Sequence, residues 1–239
     1  MRELWLSGVV LLGLSSVSIA APITFFGENL SPGGTVSGDP LAARNQFLAA
    51  LSGGVGTENF EVFGLGTNAP LDLSFPGSSG SITATLAGGG AEIDNGGSGR
   101  FPTSGAQYVE TNGGGDFDVT FSSPIAAFGF YGTDLGDIGN DLVITLTDTN
   151  SVDTMFTLDL SGSPNGALVF WGFVNPSNTY TSVRFDNTPT SGDVFGFDDL
   201  TVGDVNQVII TPPAVPLPAT VFLLLGSLAG FGVLRRLNL

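Results

Sequence analysis

Apolar residues in this chain come in short runs broken by Gly, Asn, Asp, Ser and Pro, and helical spacing recurs convincingly only once before the C-terminal tail. Such runs predict strands: Ile23–Phe26 first, then Thr57–Phe63, Leu71–Phe75, Ile82–Leu86, Gln107–Glu110 and Asp116–Phe121. Ile125–Tyr131, Leu142–Thr147, Met155–Leu160, Ala167–Val174, Ser182–Asn187 and Val194–Val202 continue the series. Alternation is clear where Phe156, Leu158 and Leu160 interleave with Thr157 and Asp159, and where Val183 and Phe185 interleave with Arg184 and Asp186. Strands of that kind bury one face and wet the other. The one helix is expected over Asp39–Leu51, with Asp39 as N-cap, Pro40 in the first turn and Gly53 as its stop. Leu41, Phe47, Leu48 and Leu51 recur at helical spacing, so one face packs on the body. About ten strands with no helices between them predict an all-β fold, an antiparallel β-sandwich or jelly roll with one short N-terminal helix. Phe residues then fill the layer between the sheets.

The two ends follow another pattern. Arg2 precedes an apolar run from Leu4 to Leu14, and small residues ending in Ser18-Ile19-Ala20 fit a signal peptidase site, so residues 1–20 read as a signal peptide. At the other end Val215-Pro216-Leu217-Pro218-Ala219 is followed by an uncharged apolar stretch and then by Arg235 and Arg236. Residues 220–234 predict a single transmembrane helix, short for a bilayer core of roughly 30 Å, and the Arg pair stops transfer and keeps the C-terminus cytoplasmic. The expected globular domain is residues 22–211, and 212–239 is a sorting tail.

The order and spacing of that tail resemble the PEP-CTERM sorting signal of Gram-negative bacteria, in the variant whose motif reads VPLPA. The resemblance implies recognition by an exosortase-type membrane protease, transient residence in the inner membrane, and delivery to the cell surface or extracellular matrix. Leu217 stands where the more familiar form has Glu, which bears on the type of exosortase. The alternative is a plain single-pass anchor.

Composition narrows the chemistry. The chain has 36 Gly and 19 Phe, no Cys or His, and six basic residues, all Arg. The domain keeps Arg44, Arg100 and Arg184 against 21 of the 22 carboxylates, which disfavours nucleic acid and anionic membrane surfaces and favours cations. Without Cys and His there is no Ser-His-Asp or Cys-His system, imidazole zinc site or disulfide. Carboxylate acid–base chemistry and oxygen-ligand metal binding remain.

Thr57-Glu-Asn-Phe-Glu61, Gly99-Arg-Phe-Pro-Thr-Ser-Gly105, Phe128 to Asp137 and Phe195 to Val202 together look like the globular domains often carried by proteins with this tail. The Phe-Glu pair and the Phe-Asp-Asp run are also similar to the first and last strands of jelly-roll carbohydrate-binding modules. That likeness implies a structural calcium between those strands, held by Glu61 and by Asp198 or Asp199. Neighbouring strand residues face opposite ways, so Asp198 and Asp199 serve one site only if a bulge intervenes. The alternative is solvated acids beside buried Phe60 and Phe197. Asp134, Asp137 and Asp141 form a second acidic cluster that turn chemistry explains, and Asp116 and Asp118 mark the wet side of a strand. Trp171 reads as core. Tyr108, Tyr131 and Tyr180 are the further candidates for stacking on sugar, and Arg100 pairs with a carboxylate or binds an acidic sugar.

The expectation is a non-catalytic exported surface or matrix protein associated with exopolysaccharide or biofilm. The alternative is a lectin-like carbohydrate-binding module with structural calcium. A third reading, a carboxylate-dependent glycosidase or lyase, needs two carboxylates roughly 5–10 Å apart in a cleft.

Overall fold

The computed structural model describes residues 21–112, 116–135, 142–158, 160, 165–186 and 194–209. The expected signal peptide, the tail of 212–239, Asp137, Asp141 and Asp159 lie outside the described residues. In chain order the elements are β1 (Ile23–Asn29), α1 (Asp39–Ala49), β2 (Gly56–Glu58), β3 (Leu71–Gly77), β4 (Gly80–Gly88), β5 (Glu92–Asp94) and β6 (Tyr108–Asn112). They continue as β7 (Phe117–Ile125), β8 (Ala127–Thr133), β9 (Leu142–Asp148), β10 (Asp153–Leu158), β11 (Leu168–Val174), β12 (Tyr180–Asp186) and β13 (Val194–Gly203), then a 3-10 turn at Val205–Gln207.

These strands form two antiparallel sheets, as the alternating runs require. One has the order β1-β11-β8-β13-β6-β5, with β2 also paired to β13; the other has the order β10-β9-β12-β7-β4-β3. Between them lies an apolar layer built largely from Phe. Phe117 and Phe185 stack with ring centroids 4.2 Å apart, and Phe130 and Phe197 stack at 4.8 Å. Edge-to-face contacts of Phe185 with Phe130 at 5.1 Å and Phe197 at 5.4 Å tie the two stacks across the sheets. Each such pair adds about 0.5–1.5 kcal/mol beyond the area it buries. Trp171 belongs to this layer, 3% exposed against Phe130, Phe156 and Phe173.

The first sheet is covered on both faces, so β8 and β11 are buried at every position. The outer cover is α1, and glycine lets it approach. Gly129 and Gly172 are paired across β8 and β11, and a Cβ added at Gly129 would lie 2.9 Å from the Phe47 ring. Phe47 thus seats directly on backbone, fully buried, with Phe25 and Phe170 at its sides.

The helix departs from its expected form in three ways. Its N-cap is Gly38, at φ 70°, with Asp39 as the first helical residue, where its charge still suits the helix dipole. Its buried positions are Pro40, Ala43 and Phe47, while Leu41 is 37% exposed, because the close approach to the sheet admits a small residue and one ring. It ends before Gly53: Leu51 bridges to Val208 and the Ser52 N–H donates to the Gln207 carbonyl, so a backbone contact stops it. Among the described residues no helix is long and apolar enough to cross a membrane.

Gly129→Val should force Phe47 off the sheet and lower the stability of the chain by about 1–3 kcal/mol in denaturant titration. A midpoint equal to wild type would show that the helix is not close-packed there.

Candidate functional site

The expected strand Thr57–Phe63 is cut short to β2, and the cut builds a site. Glu58 Oε1 accepts the Phe60 N–H at 2.7 Å, and Phe60 takes φ 62°, so the chain turns before Glu61. Glu61 Oε1 then accepts the N–H groups of Ala106 and Gln107, each at 2.7 Å. Gly105 lies beneath it at φ 63°, where an added Cβ would meet Glu61 Oε1 at 2.4 Å. Glycine is therefore required at this end of the Arg-Phe-Pro-Thr-Ser-Gly stretch.

The other side of the same loop is held by β13. Its register against β8 shifts between Asp198 and Thr201, with Asp199 at φ 50°. This bulge turns two successive carboxylates toward one loop, the condition under which both can serve one site. Asp198 Oδ2 accepts the N–H of Thr103 at 2.6 Å and of Ser104 at 3.2 Å, while its Oδ1 accepts the Asp199 N–H at 2.7 Å. Asp199 accepts the Ser104 hydroxyl at 2.7 Å. The Thr103 hydroxyl lies 3.0 Å from Asp198 Oδ2 and 3.1 Å from Asp199 Oδ2, yet has one hydrogen to donate. Burial and then the Asp199 charge push Asp198 from 3.8 up to about 7, against the opposing pull of the Asp199, Thr103 and Ser104 N–H groups that donate to it.

Glu61, Asp198 and Asp199 thus grip neighbouring parts of one loop, but as placed they do not fit a calcium shell. N–H groups, whose positive ends would face a cation, occupy Glu61 Oε1 and both oxygens of Asp198, hydroxyls occupy those of Asp199, and among the described residues no group of three or more acidic side chains is positioned to hold a metal ion. Arg100 orders the start of the loop, donating from Nε to Glu110 at 2.8 Å with Nη1 3.6 Å from Asp134. Asp134 in turn accepts the Gly166 N–H at 2.8 Å. Asp116, just before β7, and Asp118, on its wet face, flank Arg184.

Beside the clamped loop is an open cavity of about 490 Å³. Its walls are Thr103 and Ser104 from the loop, Asp199 from β13, Tyr131 from β8, Thr57 and Asn59 from and just beyond β2, and Val36, Leu41 and Arg44 from the helix side. Tyr131 is 1% exposed, and among the described residues its hydroxyl has no hydrogen-bond partner; the buried Arg44 Nε has none either. Burial pushes the Tyr131 phenol up to about 12, with the Arg44 charge opposing and the Asp199 charge adding, so it carries its hydrogen at neutral pH. The sequence alone marks Tyr131 only as one of several stacking candidates and gives Arg44 no role. The signal it lacks is that these residues share one face of the sheet with the loop.

No family model and no curated protein matches the chain. Among solved structures, it is similar to the K2 cleaved adhesin domain of Lys-gingipain at 14% identity and TM-score 0.41, covering 62% of this chain and 98% of that one. A family 29 carbohydrate-binding module gives 15% identity and TM-score 0.31, covering 62% of this chain and 92% of that one. TmCBM61 in complex with β-1,4-galactotriose gives 12% and 0.28, covering 50% and 86%. Likenesses of this size leave function to the site's own chemistry.

Two outcomes are expected for the clamp. Asp198 holds a proton in the folded state that the unfolded chain releases near pH 4, so between about pH 4 and pH 7 stability should fall as pH rises. The drop should be a few kcal/mol at most and flatter in Asp198→Asn, as measured by denaturant titration across pH; a wild-type slope in that variant would refute the assignment. Saturating calcium should leave the melting midpoint where chelator leaves it, since an ion bound only by the folded state would raise it.

Proposed function

We propose that this chain is an exported, non-catalytic glycan-binding protein, with the cavity between α1 and the Thr103–Ser104 loop as its binding site. The observation that carries the reading is that Tyr131 and Arg44, each with a buried polar atom lacking a hydrogen-bond partner among the described residues (the Tyr131 hydroxyl and Arg44 Nε), line a cavity that also presents Thr57, Asn59 and Ser104. A buried donor without an acceptor costs about 1–3 kcal/mol, and a hydroxyl-rich ligand recovers that energy. Sugars offer such hydroxyls together with C–H faces, which Val36 and Leu41 at the rim suit.

Binding rather than hydrolysis is favoured by the carboxylate count. Among the described residues that line the cavity Asp199 is the one acid, and Thr103 and Ser104 hydroxyls already occupy its oxygens. Glycoside cleavage uses two carboxylates across the scissile bond. Asp198, beside it in β13, is 1% exposed and turned into the loop.

The sequence ends supply the address. On this reading the signal of residues 1–20 exports the chain, and the apolar stretch 220–234 holds it in the inner membrane. An exosortase-type protease acting near Val215-Pro216-Leu217-Pro218-Ala219 leaves it at the surface or in the extracellular matrix of a Gram-negative bacterium, among polysaccharides.

Full-length protein in a zwitterionic detergent should bind a glycan array saturably. Tyr131→Phe, which removes only the hydroxyl, should weaken that binding by about three- to tenfold while its melting midpoint stays equal or rises. Folded protein that binds no glycan, or a Tyr131→Phe variant that binds as wild type does, would overturn the proposal.

A further inference from the structure

Three arginines fall among the described residues, and their surroundings differ. Arg100 is paired with Glu110 and Asp134, and Arg184 with Asp116 and Asp118. Arg44 has no carboxylate within 4.0 Å among the described residues, in a chain whose formal net charge is −16. Its guanidinium lies over the Tyr131 ring instead, with Cζ 5.7 Å from the centroid.

We infer that the ligand of this cavity carries a carboxylate and that Arg44 selects it, so that the glycan bound is acidic, of the uronic-acid class. The inference rests on the glycan-binding reading of the same cavity.

A guanidinium held by an aromatic ring rather than by a carboxylate still has N–H groups along its edge to offer a further partner. The partner that fits that edge best is a carboxylate, through two parallel charge-assisted hydrogen bonds. The protein's other carboxylates do not decide against an anionic ligand, because at physiological salt charges beyond about 8 Å are largely screened. The nearest group then dominates, and on the α1 side of the cavity it is Arg44. Asp199 on the β13 side sets the opposite polarity. A sugar ring is thereby oriented with its carboxylate toward α1 and its hydroxyls toward β13 and Ser104.

The test presents the full-length protein, in zwitterionic detergent, with immobilised alginate, polygalacturonate and hyaluronan, with neutral β-glucan and galactan, and with each acidic polymer after chemical reduction of its carboxyl groups. The expected result is binding to at least one acidic polymer that falls about tenfold or more on carboxyl reduction. Arg44→Gln should lose as much, and Arg44→Lys, which keeps the charge without the fork, should lose less. Equal binding to the reduced polymer, or binding confined to neutral polymers, overturns the inference and leaves the glycan-binding proposal standing. No binding to any polymer by folded protein overturns both. Carboxyl reduction alters the ligand and not the protein, so its outcome decides the matter even if Arg44→Gln fails to fold.

Discussion

The site depends on two acidic side chains, Asp198 and Glu61, taking hold of a loop that no sheet supports. Residues between Gly99 and Gln107 run outside any strand, and their N–H groups would otherwise have to find water at the edge of a β-sandwich. Asp198 supplies acceptors for Thr103 and Ser104, and Glu61 for Ala106 and Gln107. Neither acid is free to do so without a departure from regular structure: the bulge at Asp199 in one case, the turn at Phe60 in the other. Backbone strain at those residues, of order 1–3 kcal/mol each, is held in place by the hydrogen bonds it makes available. The cavity wall is therefore a product of the clamp.

Much of the β-framework is legible in the sequence, because alternation fixes which residues face inward. Val183 and Phe185 are buried and Arg184 is exposed, as their spacing requires. Legibility fails wherever one residue leaves the pattern for a tertiary reason. Phe60 sits in a run, Thr57–Phe63, that reads as strand, yet its backbone is set by the Glu58 side chain. The three-residue β5 in a Gly-rich stretch is too short to carry a period. In α1 the conspicuous Leu41 is at the rim while Ala43 is buried, because the glycine pair beneath the helix sets its depth. The four stretches singled out along the chain do meet, with Glu61, Thr103, Tyr131 and Asp199 around one loop and cavity. Their meeting is beyond the sequence, since it depends on strand order and on a bulge that local pattern does not encode.

Charge also divides by function in the fold. Arg184 and its acids are exposed, and such pairs add about 0–1 kcal/mol. Arg100 is more enclosed, holding Glu110 and Asp134 from different parts of the chain, so it orders the loop's start. Asp134 sits at φ 67° beside Gly99, where an added Cβ would lie 2.3 Å from its Oδ1, so the chain must be glycine there for the ion pair to form. Arg44 alone of the three is set against an aromatic ring at a cavity.

Why a cavity opens at this place follows from the dimensions of the parts. A sheet of six strands side by side spans about 24 Å at roughly 4.8 Å between neighbours, whereas a helix is about 10 Å across with its side chains. A single α1 packed on β1, β8 and β11 leaves the β13 side of that face for loops to cover. Helix and loop are different kinds of cover, one packed by Phe47 against backbone, the other hung from carboxylates, and they meet over Tyr131. Its ring packs edge-on against Phe170 at 5.2 Å, under the helix, and its hydroxyl falls where the apolar cover ends. An apolar residue there would seal the seam. Tyrosine, with Arg44 above it, leaves polar valence buried at the join, and it is this composition that the proposed binding site rests on.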